Sequence, residues 1–295
     1  MDSIPFKPSC SEIGHSSRLV QAFARRAGDD KCASPEEAMR AAISRLRRLY
    51  RGEPTLDGRM RFYLANRRIV SARIVDQLSS DAALEPIGSR YVHGFNILLT
   101  RQRTYTRLRF TFAHEICHTF FYEFVPEVKF MPHQIDAMEE RICDFGAAEL
   151  LMPASAVKKT ASERPVCIYS LRMLAEQFSV SVAAMFLRLR SLRLWNCVLS
   201  EWHRMLNGEF ELTRFYGGKR VPWQWEDPSI LNDAWQSHKS SFGNTFVRYE
   251  TEQGRQFYFP ARFEVQRVGN RIFSLWGAQI ERPTCSSPLF SQLAS

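Results

Sequence analysis

Apolar residues at helical spacing form the clearest pattern in the first two thirds of the chain. Pro35, a residue that fits the first turn of a helix, begins one such segment, which continues to Tyr50. A second segment runs over residues 106–124, and a proline follows it. Its apolar face consists of Ala113, Ile116, Cys117, Phe120, Phe121 and Phe124. A third helix is predicted over residues 136–151, with a proline again just beyond its end.

Strand-like segments precede the second helix and return near the end of the chain. Runs rich in Ile, Val and Tyr predict strands over residues 68–75, 87–90 and 91–99. Residues 160–200 instead follow the order helix, short turn, helix. Beyond residue 205, paired glycines, several tryptophans and alternating apolar residues indicate a strand-rich domain. We therefore expect an α+β fold.

These changes in pattern divide the 295 residues into four predicted parts. Residues 1–34 are rich in serine, proline and charge, and we expect them to form a flexible arm. A domain of mixed helices and strands is expected over residues 35–157. A helix-turn-helix-like segment follows over residues 158–203, and the strand-rich domain occupies residues 204–295. The length of 295 residues by itself predicts about two domains, at the usual size of about 100–200 residues each.

The composition is that of a globular protein, with 45% hydrophobic and 24% charged residues. No run approaches the roughly 18 apolar residues that a membrane helix needs, so we expect no membrane association. Residues 1–17 lack the apolar centre of a secretory signal, and a cytoplasmic location is expected. The seven cysteines show no C-x-x-C spacing, which favours buried, reduced thiols over disulfides or a thiolate zinc site.

Charge is distributed unevenly around the net value of +9. Residues 1–110 carry 20 Lys and Arg against 11 Asp and Glu, whereas residues 111–160 carry 4 against 8. The basic first part indicates an acidic partner, and weak electrostatic contact with nucleic acid is one such interaction. The acidic segment contains the candidate chemistry.

The sequence His114-Glu115-Ile116-Cys117-His118 lies within the second predicted helix. Histidines four residues apart share one face of a helix, so both imidazoles can reach one cation. Glu115 leaves the helix beside them, where it can take a proton from a metal-bound water. The alternative is a polar helix face with two solvated histidines.

A catalytic zinc site needs a third protein ligand and one open position. On the next predicted helix, Glu140 and Asp144 are four residues apart and share a face. Glu140 could be the third ligand, and Asp144 could accept the outer N–H of a ligating histidine. Glu139 points about 100° away and is the weaker candidate. Glu149 lies one turn beyond Asp144 and is interpreted as a surface group or as a support for a ligand. The alternative for all of these carboxylates is a solvated acidic helix face.

Three segments, residues 94–99, 109–115 and 140–153, together resemble a known family. They are similar to the ImmA/IrrE metallopeptidases, in which a strand leads into an Arg-Phe-Thr-x-Ala-His-Glu helix. A later helix in that family ends in Ala-Ala-x-Leu-Leu-Met-Pro, as the third segment does here. The resemblance covers approximately residues 40–155.

The resemblance implies that residues 35–157 form a zincin-like metallopeptidase domain with a gluzincin-like HExxH site. It implies His114 and His118 as metal ligands and Glu115 as the general base. The register between Glu140 and the Leu-Leu-Met-Pro sequence implies Glu140, and not its neighbour, as the third ligand. Two histidines and one carboxylate suit Zn²⁺, which we favour, and also Mn²⁺.

Two cysteines depart from the pattern of the family. Cys117 stands where the family usually has glycine, and Cys143 stands where it often has alanine. We expect both thiols to be buried and inert. No spacing argument identifies a residue that would stabilise an oxyanion, for which His133, Tyr122 and Tyr105 are the candidates.

Residues 174–185 have the shape of a helix-turn-helix, with Ser181 as the N-cap of its second helix. No Asn, Gln or Arg near the start of that helix can read base edges, so sequence-specific DNA binding is not expected. Arg188, Arg190 and Arg193 could reach phosphates. The alternative is a packed helical linker. The resemblance further implies a GAF-like sensor or docking domain over residues 204–295.

Three hypotheses for function follow. In the first, the protein is a metallo-endopeptidase, and the resemblance implies that it makes a limited cut in a helix-turn-helix repressor of the XRE type during stress or DNA damage. In the second, it is a transcriptional regulator whose metal site is structural or sensory. In the third, it is a partner-binding antitoxin or phage-linked protein without turnover. Glu115 favours the first, because a structural site has no use for a carboxylate beside an open coordination position.

Overall fold

In the computed structural model the chain forms two compact units, Met1–Pro153 and Ala154–Ser295. The structure describes residues 13–28, 34–50, 56–76, 78, 80–88, 93–101, 104–125, 137–216, 229–237, 239–250, 256–277 and 280. The first unit ends four residues before the expected boundary after residue 157. The expected boundary after residue 203 falls inside a β-hairpin of the second unit, so residues 158–203 and 204–295 do not separate there.

The first unit combines helices with a small sheet, as an α+β fold requires. Its described helices are α1 (Ile13–Ala27), α2 (Pro35–Leu49), α3 (Leu56–Asn66), α4 (Tyr105–Phe124) and α5 (Ala137–Leu151). The predictions for α2, α4 and α5 are confirmed to within one or two residues. At the start of α2 the Ser34 hydroxyl accepts the amide N–H of Glu37, whose carboxylate accepts the Ser34 N–H in return, which fixes this helix end.

Helix α1 contradicts the expected flexible arm. Residues 13–27 are helical, and Phe23 is fully buried, with its ring centroid 4.5 Å from that of Phe121 and 5.9 Å from that of Phe124. The polar composition of the segment conceals this helix, because only one narrow face, which includes Val20 and Phe23, packs against the core. Residues 1–12 and 29–33 of the expected arm lie outside the described residues.

The sheet of the first unit has the order β1-β3-β2. Its strands are β1 (Ile69–Val75), β2 (Ala82–Pro86) and β3 (Phe95–Thr100); β1 is parallel to β3 and β2 is antiparallel to it. Of the strand expected over residues 87–90, the structure describes Ile87 and Gly88. These two residues form a bend after β2, so the prediction is wrong for them. The strand expected over residues 91–99 begins only at Phe95, because Gly94 has φ +102°, a left-handed conformation that interrupts an extended strand.

The second unit packs helices against an antiparallel sheet. Its described elements are α6 (Ala154–Ser162), α7 (Ile168–Gln177), α8 (Val182–Ser191), β4 (Val198–Arg204), β5 (Phe210–Tyr216), α9 (Ser229–Ser237), β6 (Ser241–Glu250), β7 (Gln256–Val268) and β8 (Arg271–Trp276). The strand order is β5-β4-β8-β7-β6, and all neighbours are antiparallel. Trp202, Ile272 and Trp276 pack with Leu231 and Ala234 of α9 in one buried cluster. The strand-rich character predicted for this part is therefore correct.

The turn between α7 and α8 has the predicted cap. The Ser181 hydroxyl accepts the amide N–H of Ala184, and Ser179 adopts φ +50° at the turn. Arg188 is only 4% exposed, so the expectation that its guanidinium reaches phosphates is wrong. Within the described residues, no helix combines the length and the apolar character that crossing a membrane requires.

Candidate metal centre

Close packing of α4 against α5 positions the candidate ligands. Thr104 caps α4 by accepting the amide N–H of Arg107, and the helix then continues through both histidines of the motif. On α5, Gly146 lies directly against Cys117: a Cβ atom at this glycine would stand 2.6 Å from the Cys117 Sγ and 3.0 Å from the Met39 Cγ. The missing side chain lets the two helix backbones approach, which brings the α5 carboxylates within reach of α4.

His114, His118 and Glu140 converge on one point. The Nε2 atoms of the two histidines are 3.1 Å apart, and the Glu140 carboxylate lies 3.1 Å from the Nε2 of His114 and 3.3 Å from that of His118. The three ligand atoms all lie within 4.8 Å of one another. Two imidazole nitrogens and one carboxylate oxygen form a donor set that suits a divalent ion such as Zn²⁺ or Mn²⁺.

The outer nitrogens of both imidazoles are bound to carboxylates of α5. The Nδ1–H of His114 donates to Asp144 at 2.9 Å, which is the contact expected for Asp144. The Nδ1–H of His118 donates to Glu139 at 2.7 Å, a contact that the sequence did not predict. In the neutral imidazole, which is the form that binds a cation, each hydrogen bond leaves the Nε2 lone pair of its histidine directed at the convergence point.

Opposite charges set the electrostatics of the cluster. Burial lowers the pKa of His114, but hydrogen bonds to Asp144 and Glu140 outweigh burial and raise that pKa to about 9. Burial likewise lowers the pKa of His118, and its contacts with the carboxylates of Glu139 and Glu140 raise it well above the ordinary value. The cluster therefore favours positive charge at the point where the three ligands meet, as a cation site does.

Glu115 is buried next to these ligands, with 6% of its surface exposed. Burial raises the pKa of its carboxyl group, and the positive charges of His118 and His114 only partly oppose this effect. A carboxylate with a raised pKa holds a transferred proton more readily than an exposed one. The environment therefore suits a general base.

The described cysteines are free thiols buried in the core, as predicted. They are Cys117, Cys143, Cys167 and Cys197. Burial raises the pKa of the Cys117 thiol well above its usual value and that of Cys143 to about 12. Both thiols next to the metal centre are thus protonated at neutral pH and poorly reactive.

The other described residues singled out in the sequence are not among the three converging ligands. Tyr122 is buried, with its ring packed 5.9 Å from that of Phe95, whereas Tyr105 is 56% exposed. His133 lies outside the described residues. Glu149 is buried rather than on the surface, and its carboxylate lies 3.7 Å from the Arg47 guanidinium of α2.

Comparison with known proteins finds a family model that matches the segment containing this site. Residues 79–190 match the family model Peptidase_M78, described as the IrrE N-terminal-like domain. The ImmA/IrrE resemblance is confirmed. The IrrE-like segment contains α4 and α5 with all the candidate ligands, which supports a metallopeptidase-type role for this part of the chain.

One solved structure resembles the chain at low sequence identity. A solved structure of a Mycobacterium tuberculosis transcriptional regulator aligns with 89% of this chain and 80% of its own, at 12% identity and a TM-score of 0.44. This similarity supports no conclusion about fold or function. None of the curated proteins matches the chain.

Proposed function

We propose that the protein is a metal-dependent endopeptidase that makes a limited cut in a helix-turn-helix transcriptional repressor of the XRE type. The observation that carries this proposal is the buried carboxylate of Glu115 beside three converging ligand atoms, from His114, His118 and Glu140. A site that only held a metal would need the ligands but not the carboxylate.

Each residue of the centre has a separate role in the proposal. His114, His118 and Glu140 would hold Zn²⁺ or Mn²⁺, and Asp144 keeps the His114 ring in place through its Nδ1–H. When bound, the metal supplies Lewis-acid activation of a water molecule and of the peptide carbonyl. Glu115 accepts the proton of the attacking water and delivers it to the leaving amine, a transfer that its raised pKa favours.

The identity of the substrate is inferred from the family and from charge. A repressor bound near DNA is surrounded by phosphate charge, and the 20 basic against 11 acidic residues of positions 1–110 favour approach to such a region. Arg193, which is exposed at the end of α8, is available for the same weak electrostatic contact. We place this activity in the cytoplasm, where bacterial repressors act, and in a stress or DNA-damage response.

The antiparallel sheet of the second unit is proposed to act as a GAF-like sensor or docking domain. All six tryptophans of the chain lie in this unit, and such side chains provide large contact areas at modest entropic cost. The candidate ligands on α4 and α5 all belong to the first unit. Sensing and chemistry are therefore assigned to different units.

Co-expression tests the proposal most simply. The wild-type chain is produced together with each helix-turn-helix repressor encoded beside its gene, and repressor fragments are identified by mass spectrometry. We expect one repressor to yield a single pair of fragments with the wild type and none with Glu115→Gln, because the amide is isosteric but cannot accept the proton.

Glu176→Gln provides a matched control, since the same substitution is made at an exposed position of α7 in the second unit. This variant should cut as the wild type does. Intact repressors in the presence of metal-loaded wild type would favour the alternative, a regulator with a structural or sensory metal site. Equal cutting by Glu115→Gln would contradict the assigned base.

A further inference from the structure

Glu139 is a buried carboxylate that contacts a metal-ligand candidate from the side opposite to the metal centre. Its Oε1 atom lies 2.7 Å from the Nδ1 of His118, whereas the Nε2 of the same ring faces His114 and Glu140. The two nitrogens of an imidazole ring point in divergent directions. Glu139 therefore binds the ring at the nitrogen that is not available to the cation.

The contact follows from the antiparallel arrangement of α4 and α5. His114 contacts Asp144, and His118 contacts Glu139. Moving four residues forward along α4 therefore corresponds to moving five residues back along α5. Glu140, next to Glu139 in sequence, reaches between the two rings. Three carboxylates of α5, two on one turn and one on the next, thus contact the histidine pair of α4.

Burial distinguishes the two carboxylates that bind outer nitrogens. The side chain of Glu139 is 10% exposed and that of His118 is 13% exposed, whereas the side chain of Asp144 is 62% exposed. A hydrogen bond to a charged group is stronger where water does not compete for it. The Glu139 contact should therefore constrain its histidine more firmly than the Asp144 contact does.

We propose that Glu139 is a positioning residue for His118, which fixes the ring orientation and the tautomer that presents Nε2 to the metal. This inference rests on the proposed metallopeptidase function and adds to it a residue that neither the motif nor the helix spacing identified. The carboxylate accepts the Nδ1–H, so the lone pair stays on Nε2, and the added negative charge increases the basicity of the ligand. Glu139 does not itself bind the ion.

Cobalt and zinc binding by the full-length chain test this role. Zn²⁺ affinity is measured by competition with a chromophoric chelator, and the visible spectrum of the Co²⁺-loaded protein reports the geometry of the ligands. We expect Glu139→Ala to bind Zn²⁺ about tenfold to a hundredfold more weakly than the wild type and to shift the Co²⁺ bands. Glu139→Gln should recover part of the affinity, because its amide oxygen still accepts the Nδ1–H.

Two further variants separate positioning from ligation. Asp144→Ala, the matched change at the exposed carboxylate, should weaken Zn²⁺ binding less than Glu139→Ala does. Glu140→Gln should alter the Co²⁺ spectrum more than Glu139→Gln does, because it removes a ligand. Circular dichroism of the metal-free variants shows whether each is folded, and Glu139→Gln provides the test if Glu139→Ala is not.

The inference fails if folded Glu139 variants bind Zn²⁺ as the wild type does and leave the Co²⁺ spectrum unchanged. It also fails if Glu139→Gln changes the spectrum as much as Glu140→Gln, since Glu139 would then be a ligand. Failure of the proposed function gives a different result: the wild type would either bind neither ion or, when loaded with metal, leave every repressor intact.

Discussion

His114, His118 and Glu140 each offer a single ligand atom to the convergence point. Removal of any one leaves two protein ligands, too few to compete with water for a catalytic ion. We expect His114→Ala, His118→Ala and Glu140→Ala each to lose most of the metal that the wild type retains after dialysis, as measured by plasma mass spectrometry. Full occupancy in Glu140→Ala together with an empty Glu139→Ala would show that the adjacent carboxylate is the ligand.

Glu264 on β7 is a second buried carboxylate with an unusual environment. It is fully buried, and its carboxylate accepts the amide N–H of Ile168 at the start of α7 and the Ser240 hydroxyl at 2.9 Å. Burial raises the pKa of Glu264 to about 7, although both hydrogen bonds oppose the shift. The folded state therefore favours the protonated form of this group.

The raised pKa gives stability a defined pH dependence. The stability contributed by Glu264 is fully present below its unfolded pKa of 4.5 and is lost as pH rises towards 7, because the unfolded chain releases the proton first. The shift corresponds to about 3 kcal/mol of unfolding free energy. Glu264→Gln should lack this loss. Its unfolding free energy relative to that of the wild type should therefore be higher at pH 8 than at pH 5.

Tryptophan fluorescence during urea unfolding measures this difference directly, since all six tryptophans lie in the unit that contains Glu264. Carboxylates and histidines elsewhere in the chain are common to both proteins and cancel in the comparison. Parallel pH profiles for the wild type and Glu264→Gln would contradict the assigned shift.

The contact between α4 and α5 depends on a glycine opposite a cysteine. A methyl group at position 146 would stand 2.6 Å from the Cys117 Sγ, closer than van der Waals contact allows. Overpacking in Gly146→Ala should therefore lower the unfolding free energy of the first unit by about 1–3 kcal/mol. The better helix propensity of alanine offsets about 1 kcal/mol of this loss. Thermal unfolding followed by far-ultraviolet circular dichroism measures this loss.

The double variant Cys117→Ala/Gly146→Ala tests the cause of that loss. Removal of the sulfur relieves the clash, so the two changes together should cost at least 1 kcal/mol less than the sum of the single changes. Additive costs would show that the helices do not meet at this point.

At the level of elements, the sequence predicted α2, α4, α5 and β1 well but missed α1, α3 and β2. Helices α2 and α4 have long apolar faces and clear start signals, Ser34 before Pro35 and Thr104 before Tyr105. Strand β2 has only five residues, among them Glu85 and Pro86, and its place in the sheet comes from pairing with β3. Such pairing is a tertiary effect that local propensity does not contain.

The candidate site was predictable where the spacing within one helix, or the family resemblance, determines it. Spacing on α4 placed the two histidines on one face, and spacing on α5 related Glu140 to Asp144. The contact of Glu139 with His118 depends on the antiparallel register of both helices, which a helical wheel for α5 alone does not show. Similarly, the burial of Arg188 reflects packing around α8 and not its local sequence.

For the whole molecule, the division into two units indicates that the chain can be divided after Pro153. All candidate ligands lie in Met1–Pro153, while α7 is linked to β7 within the second unit through the Ile168 amide and Glu264. A fragment of residues 1–153 should therefore fold and bind one equivalent of metal, but lose repressor cleavage that depends on docking or signal. Circular dichroism, metal analysis and the cleavage assay test these expectations.

A fragment that ends near Leu199 would instead interrupt the second unit within β4, which pairs with both β5 and β8. We expect it to be less soluble than the shorter fragment. An insoluble, metal-free fragment of residues 1–153 would show that the second unit is needed to cover the apolar surface of the first. Cleavage by that fragment at the wild-type rate would exclude a docking or sensing role for the second unit.

The central claim is that Glu115 transfers the proton in a metal-dependent peptide cleavage. The most direct measurement compares metal content and cleavage rate for purified wild type and Glu115→Gln, with the same purified repressor as substrate. We predict equal metal occupancy and a cleavage rate at least about a hundredfold lower in the variant, since general base catalysis contributes that much or more. A variant with full metal occupancy and a rate close to that of the wild type would contradict the assignment.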